Sequence, residues 1–209
     1  MEILSKLFGS IIRVRVMRFF IFNPDVPVSA KEISGRVRAP LKIVEKELRL
    51  MLKIGLARVR PITETEIITR KGQKPIVKRR RVGGWTLDKL FPYLVALQGL
   101  LVNTVLIKNQ EVVRRISKGG NIKMIVAAGI FLQEPESRID LLVVGDHLKR
   151  GVIANAVRTM EAEIGKELRY SVLETPEYRY RASICDKLVR DVMDYPHQKL
   201  IDKLASEEE

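Results

Sequence analysis

The sequence predicts an α+β chain in two parts: a small helical domain ending in a basic β-hairpin, then a mixed sheet with helices. Three observations predict it. The 209 residues suffice for two small domains. The apolar spacing turns from helical to alternating after Gly55, and back to helical at Leu90. The charge divides near the same point: residues 1–90 carry 21 Lys/Arg against 8 Asp/Glu, the whole net charge of +13, whereas residues 91–209 carry 17 of each. The expected domains are 1–88 and 89–209.

The elements follow in order. Leu4, Leu7, Phe8, Ile11, Ile12, Val16, Phe19 and Phe20 recur at helical spacing, which predicts one amphipathic first helix with Arg13, Arg15 and Arg18 elsewhere on its surface. Asn23-Pro24 and Pro27 end it. Ser29 is a good N-cap, and Glu32 three residues later completes a capping box, so a second helix is expected over 30–37. Ala39-Pro40 makes a tight turn, with Pro40 suited to the start of a third helix over 41–54. Its expected apolar positions are Leu41, Val44, Leu48, Met51 and Leu52, and Gly55 sits where a C-terminal cap belongs. Residues 56–60 then alternate as a strand does. Ile67-Ile68-Thr69 and Ile76-Val77 flank Lys71-Gly72-Gln73-Lys74-Pro75, which reads as a hairpin loop. Lys78 to Arg81 is a basic run. Gly83-Gly84 is expected to break the chain, and Trp85-Thr86-Leu87 to begin a new segment.

Two short helices, a tight turn, a longer helix and a basic hairpin are the order of a winged helix-turn-helix. The third helix can enter a major groove, which is wide enough to admit one. Its outward Lys42, Lys46 and Arg49, with Lys53 further along, would meet phosphates and base edges. Arg36 and Arg38 flank the turn, and Lys71, Lys74, Lys78, Arg79, Arg80 and Arg81 load the hairpin with positive charge. A basic surface confined to one domain is the footprint of phosphate binding, so double-stranded DNA is the expected partner. Residues 5–60, with their Leu48-x-x-x-Leu52-x-x-Gly55-Leu56 ending, resemble the winged-helix domains of ArsR-type regulators. That resemblance implies transcription regulation, mostly repression.

The second part is expected to run helix, strand, turn, strand, helix, strand: helices from Leu90 to about Lys118, a stop at Gly119-Gly120, strands over 122–128 and 139–144 joined by a turn with Gly129 and Pro135, a helix over 151–164, and a strand over 168–173. A mostly helical tail follows, broken at Pro176 and Pro196 and frayed at Glu207-Glu208-Glu209. Ala127-Ala128-Gly129-Ile130-Phe131 and Arg138-Ile139-Asp140-Leu141-Leu142-Val143-Val144-Gly145-Asp146 resemble the centre of the minimal nucleotidyltransferase fold. The resemblance covers residues 91–205. Active members carry a Gly-Ser turn and an Asp-x-Asp pair, because two carboxylates at alternate strand positions point the same way and together hold divalent ions. Here Gly129 and Asp140 remain, but Ile130 stands at the serine position and Leu142 at the second carboxylate. The motif is degenerate and no enzyme is expected. Asp140 reads as a polar residue that caps or hydrogen-bonds a loop. Gly129 and Gly145 leave room for a ligand to approach the backbone, so this domain is expected to dimerise, to sense an unidentified small molecule, or both. A homodimer would match a palindromic site with half-sites about 34 Å apart.

Other chemistry is sparse. The only cysteine is Cys185 and the only histidines are His147 and His197, which makes no internal disulfide and no recognisable zinc spacing. No cofactor or metal is expected. Cys185 reads as a buried small hydrophobe, and Tyr170, Tyr178 and Tyr180 as packing residues around the last strand and helix. The apolar runs are short for a membrane span. The first residues lack the order of a signal peptide, so a cytoplasmic protein is expected. Two rival readings stand beside the regulator: a nucleotidyltransferase that docks through the winged helix, and a protein-interaction module.

Overall fold

The structure is a computed structural model that describes residues 2–68, 76–102, 107–134 and 137–205. It is α+β and divides into two compact units, residues 1–104 with 162–166, and residues 105–161 with 167–209. Among the described residues no helix is long and apolar enough to cross a membrane.

The first unit begins with α1 (Glu2–Phe8) and α2 (Ile11–Phe22), where the spacing predicts one helix. The break is local chemistry: Gly9 takes a left-handed φ of +73°, and the Ser10 hydroxyl accepts the Arg13 N–H at 3.2 Å as an N-cap. β1 (Val28–Ser29) leads into α3 (Ala30–Val37), whose first turn is capped by the Ser29 hydroxyl accepting the Glu32 N–H at 3.3 Å. α4 (Leu41–Lys53) follows. β2 (Ala57–Ile68) and β3 (Ile76–Leu87) form one long antiparallel hairpin, and the sheet order is β1-β3-β2. The basic run thus lies inside β3, and so do Gly83 and Gly84. Gly84 does not break the strand: it is paired with Arg60 and with Ser29. Its missing side chain makes room for its neighbour, since a Cβ there would lie 2.6 Å from Ile62 Cγ2. Trp85 and Leu87 end the strand by packing into the helical core rather than opening a new segment.

That core holds Val14, Val16, Met17, Phe19 and Phe20 of α2, Ile33 and Val37 of α3, and Val44, Leu48 and Met51 of α4. Leu41 and Leu52, expected to be apolar core positions, are 40% and 46% exposed; they lie to either side of the stripe 44-48-51 that faces inward. α5 (Leu94–Val102) also joins this core through the buried Leu101, with Leu94, Leu97 and Val102 packed against it. This is why the first unit runs on to residue 104 rather than to 88. Arg18, expected on the helix surface, is 1% exposed. Its guanidinium donates to the carbonyls of Leu101 and Glu163, both at 2.9 Å, and burial lowers its pKa from the ordinary value.

The second unit carries α6 (Asn109–Ile116), a 3-10 turn, β4 (Asn121–Ala128), a second 3-10 turn (Gly129–Leu132), β5 (Leu141–Asp146), α7 (Arg150–Ile164) up to residue 161, β6 (Tyr170–Glu174), α8 (Thr175–Ser183), α9 (Lys187–Met193) and β7 (His197–Asp202). Its mixed sheet has the order β6-β5-β4-β7, with β5 and β6 parallel and the other pairs antiparallel. Leu141 to Gly145 are buried without interruption, the signature of a strand covered on both faces. On one face Met124, Val126, Leu142, Val144 and Leu173 meet Val192 of α9. β7 replaces part of the helical tail that the sequence predicts. Pro176 lies in the first turn of α8 rather than breaking a helix, a position where its missing N–H costs nothing. Pro135 and residues 207–209 lie outside the described residues.

Candidate nucleic-acid interface

The basic side chains group by element. On α4, Lys42, Lys46, Arg49 and Lys53 are exposed. Their spacing of 4, 3 and 4 residues sets them on one stripe, opposite the buried Val44, Leu48 and Met51. Glu45 sits beside that stripe, 3.9 Å from Arg49, with both side chains exposed, so the pair contributes at most a few tenths of a kcal/mol. The helix is held by an ion pair that the sequence reading missed. Glu47 is 5% exposed and accepts from Arg13 Nε at 2.8 Å, while Arg13 Nη1 donates to the Phe8 carbonyl at 2.6 Å. One arginine of α2 thus ties α1 to α4. The sequence signal was there: Glu47 stands inside the i, i+3, i+4, i+7 stripe of Val44, Leu48 and Met51, where an acid must find a partner.

The turn before α4 is a Schellman motif. The Ala39 N–H reaches the Ser34 carbonyl at 3.1 Å and the Arg38 N–H reaches the Gly35 carbonyl at 3.3 Å. The Ser34 hydroxyl donates to the Ala39 carbonyl at 2.7 Å. The left-handed position, where glycine is usual, is Arg38 with φ 52°. Arg38 is exposed, whereas Arg36 is half-buried and its guanidinium lies over the Phe19 ring, 5.8 Å from the centroid. Arg38 therefore projects its charge outward at a backbone cost, and Arg36 spends part of its charge on packing.

On the hairpin, Lys78, Arg79, Arg80 and Arg81 are all exposed. Their cross-strand partners are Glu66, Thr65, Glu64 and Thr63 in that order. The base of the hairpin is closed by Arg58, whose Nε donates to Asp88 at 2.6 Å. The Leu90 N–H, then Arg58, hold the Asp88 pKa below the usual carboxylate value. Lys71 and Lys74 lie outside the described residues.

In the second unit, Gly129 and Asp140 meet. Asp140 is 1% exposed. One carboxylate oxygen accepts the Ile130 N–H at 3.0 Å, and the other accepts the Arg169 N–H at 2.8 Å. The Arg169 guanidinium adds longer contacts at 3.3 and 3.4 Å. A Cβ on Gly129 would lie 2.2 Å from that same carboxylate, and one on Gly145 would lie 2.3 Å from the Asn121 carbonyl. The space beside each glycine is thus filled by the protein itself, which corrects the expectation that a ligand could approach the backbone there. Leu142, at the second carboxylate position, is fully buried in the sheet core. Among the described residues no group of three or more His, Cys, Asp or Glu side chains converges on a point that could hold a metal ion. Cys185 is exposed, not buried; it lies just after α8 rather than on the helix and takes a left-handed φ of 51°. Tyr170 and Tyr180 are 39% and 65% exposed, leaving only Tyr178 packed against the sheet core. No protein family, curated protein or solved structure matches this chain.

Proposed function

We propose that the chain is a DNA-binding transcriptional regulator, a repressor on the resemblance of its first part. In this reading residues 1–88 are a winged helix-turn-helix of ArsR-like kind, with α4 entering the major groove and the β2–β3 hairpin as the wing. The observation that carries it is the exposed stripe of Lys42, Lys46 and Arg49, mounted on a helix whose other side is locked by Val44, Leu48, Met51 and the Glu47–Arg13 pair. A helix held that firmly presents a fixed set of cations, which is what base and phosphate contacts require. The confinement of the net charge to residues 1–90 supports the same partner.

The second part is proposed to be a nucleotidyltransferase-like domain without catalysis. The support is chemical: Asp140 spends its carboxylate on two backbone N–H groups, and an isobutyl group occupies the alternate strand position. A divalent-ion clamp needs both carboxylates turned outward. The proposed role is dimerisation, sensing of an unidentified small molecule, or both, in the cytoplasm and with a homodimer on a palindromic site.

The test is selection of genomic duplex fragments by the full chain at physiological salt. Enrichment of a few fragments that share a sequence supports the regulator. Recovery of no duplex points to the protein-interaction reading, and metal-dependent transfer of a labelled nucleotide to the enzymatic one.

A further inference from the structure

We propose that the hairpin meets the DNA backbone with one face only, that of Arg79 and Arg81, while the face of Lys78 and Arg80 stays off it. This rests on the DNA-binding reading above. Residues directly opposite in an antiparallel pair share a face, and neighbours along a strand alternate. The register therefore sorts four consecutive cations into two unlike faces. Arg79 and Arg81 stand opposite Thr65 and Thr63; Arg80 and Lys78 stand opposite Glu64 and Glu66. The first face carries two cations and two hydroxyls, all exposed. The second sets the Glu64 carboxylate directly opposite Arg80.

Directly opposed positions are about 4.5–5.5 Å apart at Cβ. A phosphate that approached Arg80 would meet the Glu64 carboxylate within a side chain's reach, and its attraction would be largely cancelled. A phosphate that approached Arg79 or Arg81 meets threonine hydroxyls instead, which themselves donate to phosphate oxygens. The same face carries, toward the base of the hairpin, Ala57, Trp85 and Leu87, which pack in the helical core with Val44, Leu48 and Met51 of α4. The Arg79/Arg81 face is thus continuous with the side of the sheet that bears α4. Glu64 opposite Arg80 helps confine the charge to the side where one duplex can reach both elements.

The experiment uses the full chain and a mixed-sequence 30-base-pair duplex of about that length, titrated over 50–200 mM salt by fluorescence anisotropy. Each phosphate contact contributes about 0.9 to the slope of log Kobs against log salt. Arg79→Ala with Arg81→Ala is expected to flatten the slope by about 1.8, which shrinks the affinity loss over this range about 12-fold. Lys78→Ala with Arg80→Ala is expected to change the slope by less than about 0.5. Glu64→Gln, which leaves all cations in place, is expected to change the slope by less than about 0.5, because its face stays off the duplex. Equal losses for the two arginine-containing pairs, a larger loss for the Lys78/Arg80 pair, or a clearly steeper slope with Glu64→Gln would overturn the assignment of the face and leave DNA binding standing. A wild-type chain that does not bind the duplex at 50 mM salt overturns both.

Discussion

Asp140→Ala separates a structural carboxylate from a remnant of metal chemistry. In the native chain Asp140 accepts two backbone N–H groups, from Ile130 at 3.0 Å and Arg169 at 2.8 Å, and is 1% exposed. Alanine leaves both donors without this acceptor. A buried donor left unmade costs about 1–3 kcal/mol, so the two together set a loss of about 2–6 kcal/mol. The Arg169 guanidinium contacts add little, because that side chain is 46% exposed and such pairs contribute about 0–1 kcal/mol. Asp140→Asn keeps one acceptor oxygen and should lose about half as much. Urea unfolding followed by far-UV circular dichroism measures the change, and hydrogen exchange of the Ile130 and Arg169 amides locates it. Those two amides should lose protection first. A change within about 0.5 kcal/mol would refute the reasoning. So would a gain in stability, which is what removal of a carboxylate held ready for a metal ion gives.

Three further outcomes are expected. Glu47→Ala strips Arg13 of its partner in the core of the first unit; the Arg13 side chain is 30% exposed and can rehydrate in part, so the cost is about 1–3 kcal/mol in a urea melt, and a neutral effect would mean the pair does not hold α4. Arg38→Gly relieves a left-handed backbone and should raise stability by about 0.5–1 kcal/mol while weakening duplex binding; lost stability or unchanged binding contradicts the role given to Arg38. Glu111 accepts from Arg114 and then Arg115, which hold its pKa down from the ordinary 4.5 to about 2. A carboxylate whose pKa is depressed by folding stabilises above its unfolded value, so this contribution is complete above pH 4.5 and is lost as pH falls toward about 2. Glu111→Gln should make the acid side of the stability curve shallower, and an unchanged curve over that range contradicts the pairing.

Local signals carried much of the fold into the sequence. The Ser29 cap, the Pro40 start of α4 and the order of elements from α6 to β6 were legible because each rests on nearby residues. The Gly9-Ser10 break was written in the sequence too, but the apolar spacing runs through it and hides it. Other features depend on partners far along the chain. The length of the β2–β3 hairpin was masked by its charge: a strand with Glu and Arg on alternate positions lacks the apolar alternation that marks a half-buried strand. Arg18 lies buried because Leu101 and Glu163 supply carbonyls to it, and no spacing near residue 18 announces them. In the candidate site, the cations of α4 were legible as the polar side of a helical stripe. The sorting of Lys78 to Arg81 by face was not, because it depends on a register that only the folded hairpin fixes.

The salt dependence of duplex binding by the full chain tests the central claim most directly. If Arg38, Lys42, Lys46, Arg49, Arg79 and Arg81 each neutralise one phosphate, six contacts give a slope of about −5 in log Kobs against log salt. The account predicts a slope near that value, with binding that survives at physiological salt on selected fragments. A slope near zero, or no binding to any duplex at low salt, would contradict it.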